Sequence, residues 1–181
     1  EFVREQETAK ASNFVSFIGT CKYDLKNSIL QDMTCQIMDL VYTEKVREDE
    51  GGTYGVYVGG NLSKYPKEIA GIQIVFDTAP EKKEKLMKII FGEIDNITKT
   101  GPSEANLNKV KEYMLKKHTE DLKENSYWME SIDEYLFTGM NPIKDYEQTV
   151  NSITAKDIQK FVSDRLKQGN EIEVTMTVPN K

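Results

Sequence analysis

Apolar and polar residues alternate in two segments, 69–77 and 171–178, and this period of two limits the fold more than any other feature. In the first, Ala70, Ile72, Ile74 and Phe76 share one side, while Gly71, Gln73, Val75 and Asp77 share the other. In the second, Ile172, Val174, Met176 and Val178 alternate with Glu171, Glu173, Thr175 and Thr177. Successive side chains of a strand point to opposite faces. Each segment therefore predicts a strand needing only one covered face, which is the habit of antiparallel sheets. Residues 12–20 (SNFVSFIGT) and 53–60 are rich in β-branched and aromatic residues and read as two more strands. A polar turn at 61–67, with Pro66, joins 53–60 to 69–77 as an antiparallel hairpin.

The intervening segments repeat their apolar residues at steps of three and four, the signature of one buried helix stripe. Residues 25–48 carry Ile29, Leu30, Met33, Ile37, Leu40 and Val41, and Gly51-Gly52 ends the run. A helix starting at Pro80 and running to about 99 carries Leu86, Ile90, Ile94 and Ile97, and Gly101-Pro102 stops it. Ser103 caps the next, to about 123, with Leu107, Val110 and Met114. Residues 125–138 follow as a helix closed by Gly139, then a short one at 142–151. Thr154 and Asp157 form a capping-box start for a helix to about 167. The order is strand, helix, two strands, several helices, strand. It predicts an α+β fold: a four-stranded, mostly antiparallel sheet with helices on one face. No linker divides 1–181, so one domain is expected. The start at Glu1-Phe2-Val3 suggests a piece of a longer polypeptide.

Several functions are excluded or disfavoured. With 24 basic and 30 acidic residues the net charge is −6, which does not suit a partner bound through phosphates. The lysines at 82, 83, 85 and 88 are diluted by Glu81 and Glu84 and read as a solvated helix face. No apolar run approaches the roughly 20 residues of a membrane span. Cys21 and Cys35 are too few for a disulfide framework and read as free, partly buried thiols, which leaves the compartment open. His118 is the single histidine. Catalytic zinc usually takes three protein ligands, so His118 reads as an ordinary helix residue at the edge of a packed stripe. A Ser/His/Asp or Cys/His device would also need it, and no nucleophile is placed beside it. The run Tyr54-Gly55-Val56-Tyr57-Val58-Gly59-Gly60 lacks the Gly-Lys-Ser/Thr end of a phosphate loop.

One stretch, VREDEGGTYGVYVGG at 46–60, combines a helix end and a strand start. Arg47 falls in the last turns of the helix, where a cation suits the helix dipole. Tyr54 opens the strand, where tyrosine is a favoured residue. Each has this structural reading alone. As a pair they have a chemical one: guanidinium and phenol both donate hydrogen bonds at neutral pH. Aimed at one point, they hold a peptide carbonyl and stabilise the oxyanion formed when it is attacked. Such a corner supplies no nucleophile and needs a partner surface with a metal or base.

This stretch resembles the arginine–tyrosine motif in the C-terminal half of pitrilysin/insulysin-family zinc metallopeptidases. The resemblance extends to the preceding strand and helix, to ENSYWMESIDEYLFTGMNP and to EIEVTMTVP, and the latter half is most like the last domain of long bacterial members. It implies the family's metallopeptidase-half, or processing-peptidase-like, fold. It also implies a zinc-bearing N-terminal half, fused or separate, with a His-x-x-Glu-His motif that this chain lacks. By the same resemblance, Arg47 and Tyr54 hold the carbonyl of a peptide substrate, and Gly51 and Gly52 shape the corner. No metal or cofactor is expected in this chain, and alone it is expected to be inactive. The alternative is an architectural domain that closes a chamber or assembles a complex. The resemblance leaves bacterial periplasm and cytoplasm open. Separated from its other domains, such a chain is expected to expose an apolar docking surface and to self-associate through it.

Overall fold

Both alternating segments form strands in one sheet, the second over Glu171–Met176, while Val178 lies outside the described residues. The computed structural model describes residues 10–50 and 55–177, without the side chains of 46–50. Within these, the chain runs β1 (Ala11–Thr20), α1 (Leu25–Glu50), β2 (Val56–Ser63) and β3 (Ile69–Thr78). A 3-10 turn at Pro80–Lys82 leads into α2 (Lys83–Thr100), α3 (Glu104–Asp121) and α4 (Asn125–Thr138). The chain continues through α5 (Tyr146–Ser152), α6 (Ala155–Leu166) and β4 (Glu171–Met176). The sheet order is β2-β3-β1-β4 and every pair is antiparallel.

One face of the sheet carries the core. Val15 pairs with Ile74 and Phe17 with Ile72, and all four are buried together with Ala70 and Phe76. The helices supply the other layer: Leu86, Ile90, Ile94 and Ile97 from α2, Leu107, Val110 and Met114 from α3, and Ile158, Phe161 and Val162 from α6. On α1 the stripe is rotated from the expected one. Ile29, Leu30, Met33 and Ile37 are buried, but Met38 and Tyr42 are fully enclosed while Leu40 and Val41 are only partly so. Tyr42 is tolerated there because its hydroxyl donates to the Ile90 carbonyl at 3.1 Å, which satisfies the buried oxygen.

The opposite face is open and apolar. Tyr57, Val75, Phe14 and Val174 form one cross-strand row through all four strands. Tyr57, Val75 and Val174 are exposed, as are Ile172 and Met176 beside them. The apolar side of β4 thus faces away from the helices. Its polar side turns toward them, with the Thr175 hydroxyl donating to Asn13 Oδ1 at 3.0 Å. A second apolar surface lies along α4, where Met129, Ile132, Leu136 and Phe137 are exposed.

Of the boundaries that differ from the sequence reading, two have a clear cause in the structure. β2 continues to Ser63, because Leu62 and Ser63 pair with Ala70 and Ile69, and ladder hydrogen bonds outweigh the polar composition of 61–63. α5 begins at Tyr146 because Asn141 Oδ1 accepts from the amides of Ile143 and Lys144, at 3.0 and 2.9 Å, and holds 141–144 in a turn. The caps fall where expected. Ser103 accepts from the Asn106 amide, Gly139 closes α4 in the left-handed conformation, and Thr154 with Asp157 makes a complete capping box. Thr154→Ala is expected to cost about 1 kcal/mol, read by denaturant unfolding at pH 7. Partial desolvation works against the Asp157 anion, but hydrogen bonds from Thr154 and Lys26 outweigh it and bring the carboxyl down to about 2. A carboxyl depressed in the folded state adds stability above its unfolded pKa, near 4. The cap's contribution should therefore fade between about pH 4 and pH 2.

Candidate functional site

The helix-to-strand corner is positioned by a close approach between α1 and β2. A Cβ added at Gly60 would lie 2.1 Å from Gln31 Nε2, 2.9 Å from Cys35 Sγ and 2.6 Å from the Gly71 carbonyl oxygen. Only glycine leaves the helix this near the strand. Gln31 exploits the gap by donating from Nε2 to the Gly71 carbonyl at 3.0 Å, with Cys35 Sγ 3.3 Å away. From this contact, α1 extends about 18 Å to position 47 at 1.5 Å per residue. β2 extends about 13 Å back to Val56 at 3.3 Å per residue. Both runs lead to the same end of the helix–sheet layer. β2 is also an edge strand, so one side of its backbone has no strand partner among the described residues. The Arg47 side chain, Gly51, Gly52 and Tyr54 lie outside the described residues.

His118 stands apart from this corner, on α3. It is buried, its Nδ1 is 3.0 Å from the Tyr127 hydroxyl, and its ring stacks on Tyr146 with centroids 4.2 Å apart. Burial lowers its pKa against the opposing pull of Glu147 and Asp121, so the imidazole is neutral at pH 7. The ring is part of the packing among α3, α4 and α5. Its burial exceeds the edge position expected from sequence, because Tyr127 and Tyr146 arrive from elements that local periodicity does not connect to α3. Among the described residues no group of three or more His, Cys, Asp or Glu is placed to hold a metal ion. No described helix is long and apolar enough to cross a membrane. Cys21 and Cys35 are free thiols. Burial pushes Cys35 up to about 11, so it is not a thiolate nucleophile at neutral pH.

A four-stranded antiparallel sheet with helices on one face defines the class as an α+β sheet-and-helix domain. Residues 1–114, more than half of the chain, match the peptidase M16 inactive domain, and the chain belongs to that family. A zinc protease described as PQQL-like from Arabidopsis thaliana is 26% identical over 102 residues, which is 54% of this chain and 11% of that protein. Among solved structures, the periplasmic protease PqqL from Escherichia coli superposes on 98% of this chain with a TM-score of 0.83 at 15% identity. The peptidase M16 inactive domain from Pseudomonas fluorescens does so over 98% at 0.74 and 18% identity. Similarity at this identity establishes the shared fold. The chain spans 20% of the PqqL chain and 43% of the Pseudomonas chain.

Proposed function

We propose that this chain is the substrate-clamping, zinc-free domain of a zinc-dependent peptidase. In this reading, the Arg47 guanidinium and the Tyr54 phenol donate hydrogen bonds to the carbonyl of the peptide bond being cut. They then hold the oxyanion of the tetrahedral intermediate, whose charge develops at the same atom. Gly51 and Gly52 let the chain turn between the two donors. The described residues do not suit zinc, so the metal, with its activated water, belongs to a second half carrying His-x-x-Glu-His, in the same polypeptide or a separate one. The peptide substrate lies between the halves, with its main chain held from this side.

The observation that carries this reading is membership of the peptidase M16 inactive-domain family over the segment that includes VREDEGGTYG. The close α1–β2 contact supports it, because it directs the helix end and the strand start toward one end of the layer. The division of labour is directly testable. The 181-residue chain alone should cleave no peptide, and hydrolysis abolished by a chelator should appear only when the zinc-bearing half is joined or added. Chelator-sensitive cleavage by the chain alone would refute the assignment of zinc to another half.

A further inference from the structure

A cavity of about 270 Å³ opens between α1, α3, α4 and α5, at the end of α1 remote from the Arg47–Tyr54 corner. Asp32 lies about 22 Å along the helix from position 47. The cavity's inner wall is apolar: Ile29 and Met114 are buried. Aromatic rings surround it, with exposed Tyr113 on α3, and Tyr127 and Tyr146 braced against His118. Asp145 adopts a left-handed φ of 63° immediately before α5, an unusual conformation for a residue with a side chain. That turn delivers Tyr146 to the His118 ring.

The charges at this cavity do not balance. Lys117 is paired with Asp121, and His118 is neutral. Asp32, on the α1 side, has no hydrogen bond or ion pair among the described residues. Its side chain is exposed to solvent at the cavity mouth, and the protein around it still raises its carboxyl to about 6 by partial desolvation. A carboxylate without a counterion among the described residues, in a cavity lined by tyrosine rings and an apolar wall, describes the receptor for an alkyl cation. The charge pairs with the carboxylate and the ring quadrupoles, and the aliphatic stem covers the apolar wall. The volume lies below the roughly 300–1,000 Å³ of sites for drug-sized molecules, so it suits one long side chain. A neutral or anionic group would leave Asp32 uncompensated.

We infer that this cavity binds an alkylguanidinium or alkylammonium group of the size of an arginine or lysine side chain, with Asp32 as its counterion. The inference is independent of the clamp, since it uses neither Arg47 nor Tyr54 nor zinc. His118 provides the reporter: as the single imidazole in the chain, it gives one resolved set of ring proton signals in NMR.

The test titrates the 181-residue chain at pH 7.5 with acetyl-arginine amide, agmatine and acetyl-citrulline amide. Citrulline replaces the guanidinium by an uncharged urea of the same shape. Acetyl-arginine amide or agmatine should shift the His118 signals saturably with a Kd on the order of 1 mM, and citrulline should bind at least roughly tenfold more weakly. Binding of acetyl-arginine amide marks a cation carried on a polypeptide. Binding of agmatine alone marks a free small amine. Asp32→Asn, at a residue with no structural hydrogen bond, should weaken binding by about tenfold or more with unchanged circular dichroism. No saturable shift from either cation would overturn the inference. So would equal binding of citrulline, which is read on the unaltered chain and needs no variant to fold.

Discussion

Arg47→Ala in the complete peptidase is expected to lower kcat by on the order of 10²-fold, with zinc content and unfolding temperature unchanged. The argument is one of differential binding. A guanidinium beside a neutral carbonyl makes an ordinary charge-assisted hydrogen bond, but beside an oxyanion it meets a full developing charge. Its removal therefore falls mainly on kcat, and KM changes little. Tyr54→Phe deletes one hydroxyl and should act in the same direction with a comparable loss. Because both groups would serve one oxygen atom, the double variant should fall short of the product of the two single effects. Arg47→Lys should recover only part of the rate, since an ammonium cannot present the planar fork of a guanidinium. Steady-state kinetics on a peptide substrate, beside a zinc assay and a thermal melt, decides the matter. Unchanged turnover in both single variants would remove the catalytic role and assign the chain to closing a chamber.

Gly60→Ala is expected to destabilise the chain by about 2–3 kcal/mol, a fall in Tm of roughly 4–12 °C at this length. The new methyl meets Gln31, whose end could swing aside, but also the Gly71 carbonyl oxygen at 2.6 Å, which is backbone in the adjacent strand. Helix or ladder must shift, and the Gln31–Gly71 hydrogen bond is lost with it. The neighbouring Gly59 is the control. Its added Cβ would meet only the ring and hydroxyl of Tyr57 on the open face, and Tyr57 is exposed and free to rotate. Gly59→Ala should stay within about 0.5 kcal/mol. Equal effects at the two positions would refute the account of α1 seated on β2. If the proposed clamp holds, Gly60→Ala should also reduce activity in the complete enzyme at temperatures where it remains folded.

Local chemistry made much of the fold legible. The bounds of α4, the cap at Ser103, the Thr154–Asp157 box and the alternation in β3 all depend on residues within four positions of each other. Where the reading departed, the deciding partner was distant. Leu62 and Ser63 look like turn residues until Ala70 and Ile69 pair with them. Tyr42 falls outside the expected stripe, and its burial depends on the Ile90 carbonyl that receives its hydroxyl. Asp32 lines a cavity only because residues of three other helices are brought to its side of α1. For the proposed clamp, the motif was legible as residue types at a spacing, and the α1–β2 contact adds the layer end toward which helix and strand run.

Sequence alone determined which segments are strands and helices, where helices stop and which residues along a strand share a side, because periodicity and capping act over a few bonds. Only the tertiary structure decided the strand order, the turning of the apolar side of β4 onto the open face and the gathering of Asp32, His118, Tyr127 and Tyr146. A period of two states that alternate residues face together, but which face they share is set by register with β1. The cavity, likewise, exists only because four helices separated in sequence pack against one another.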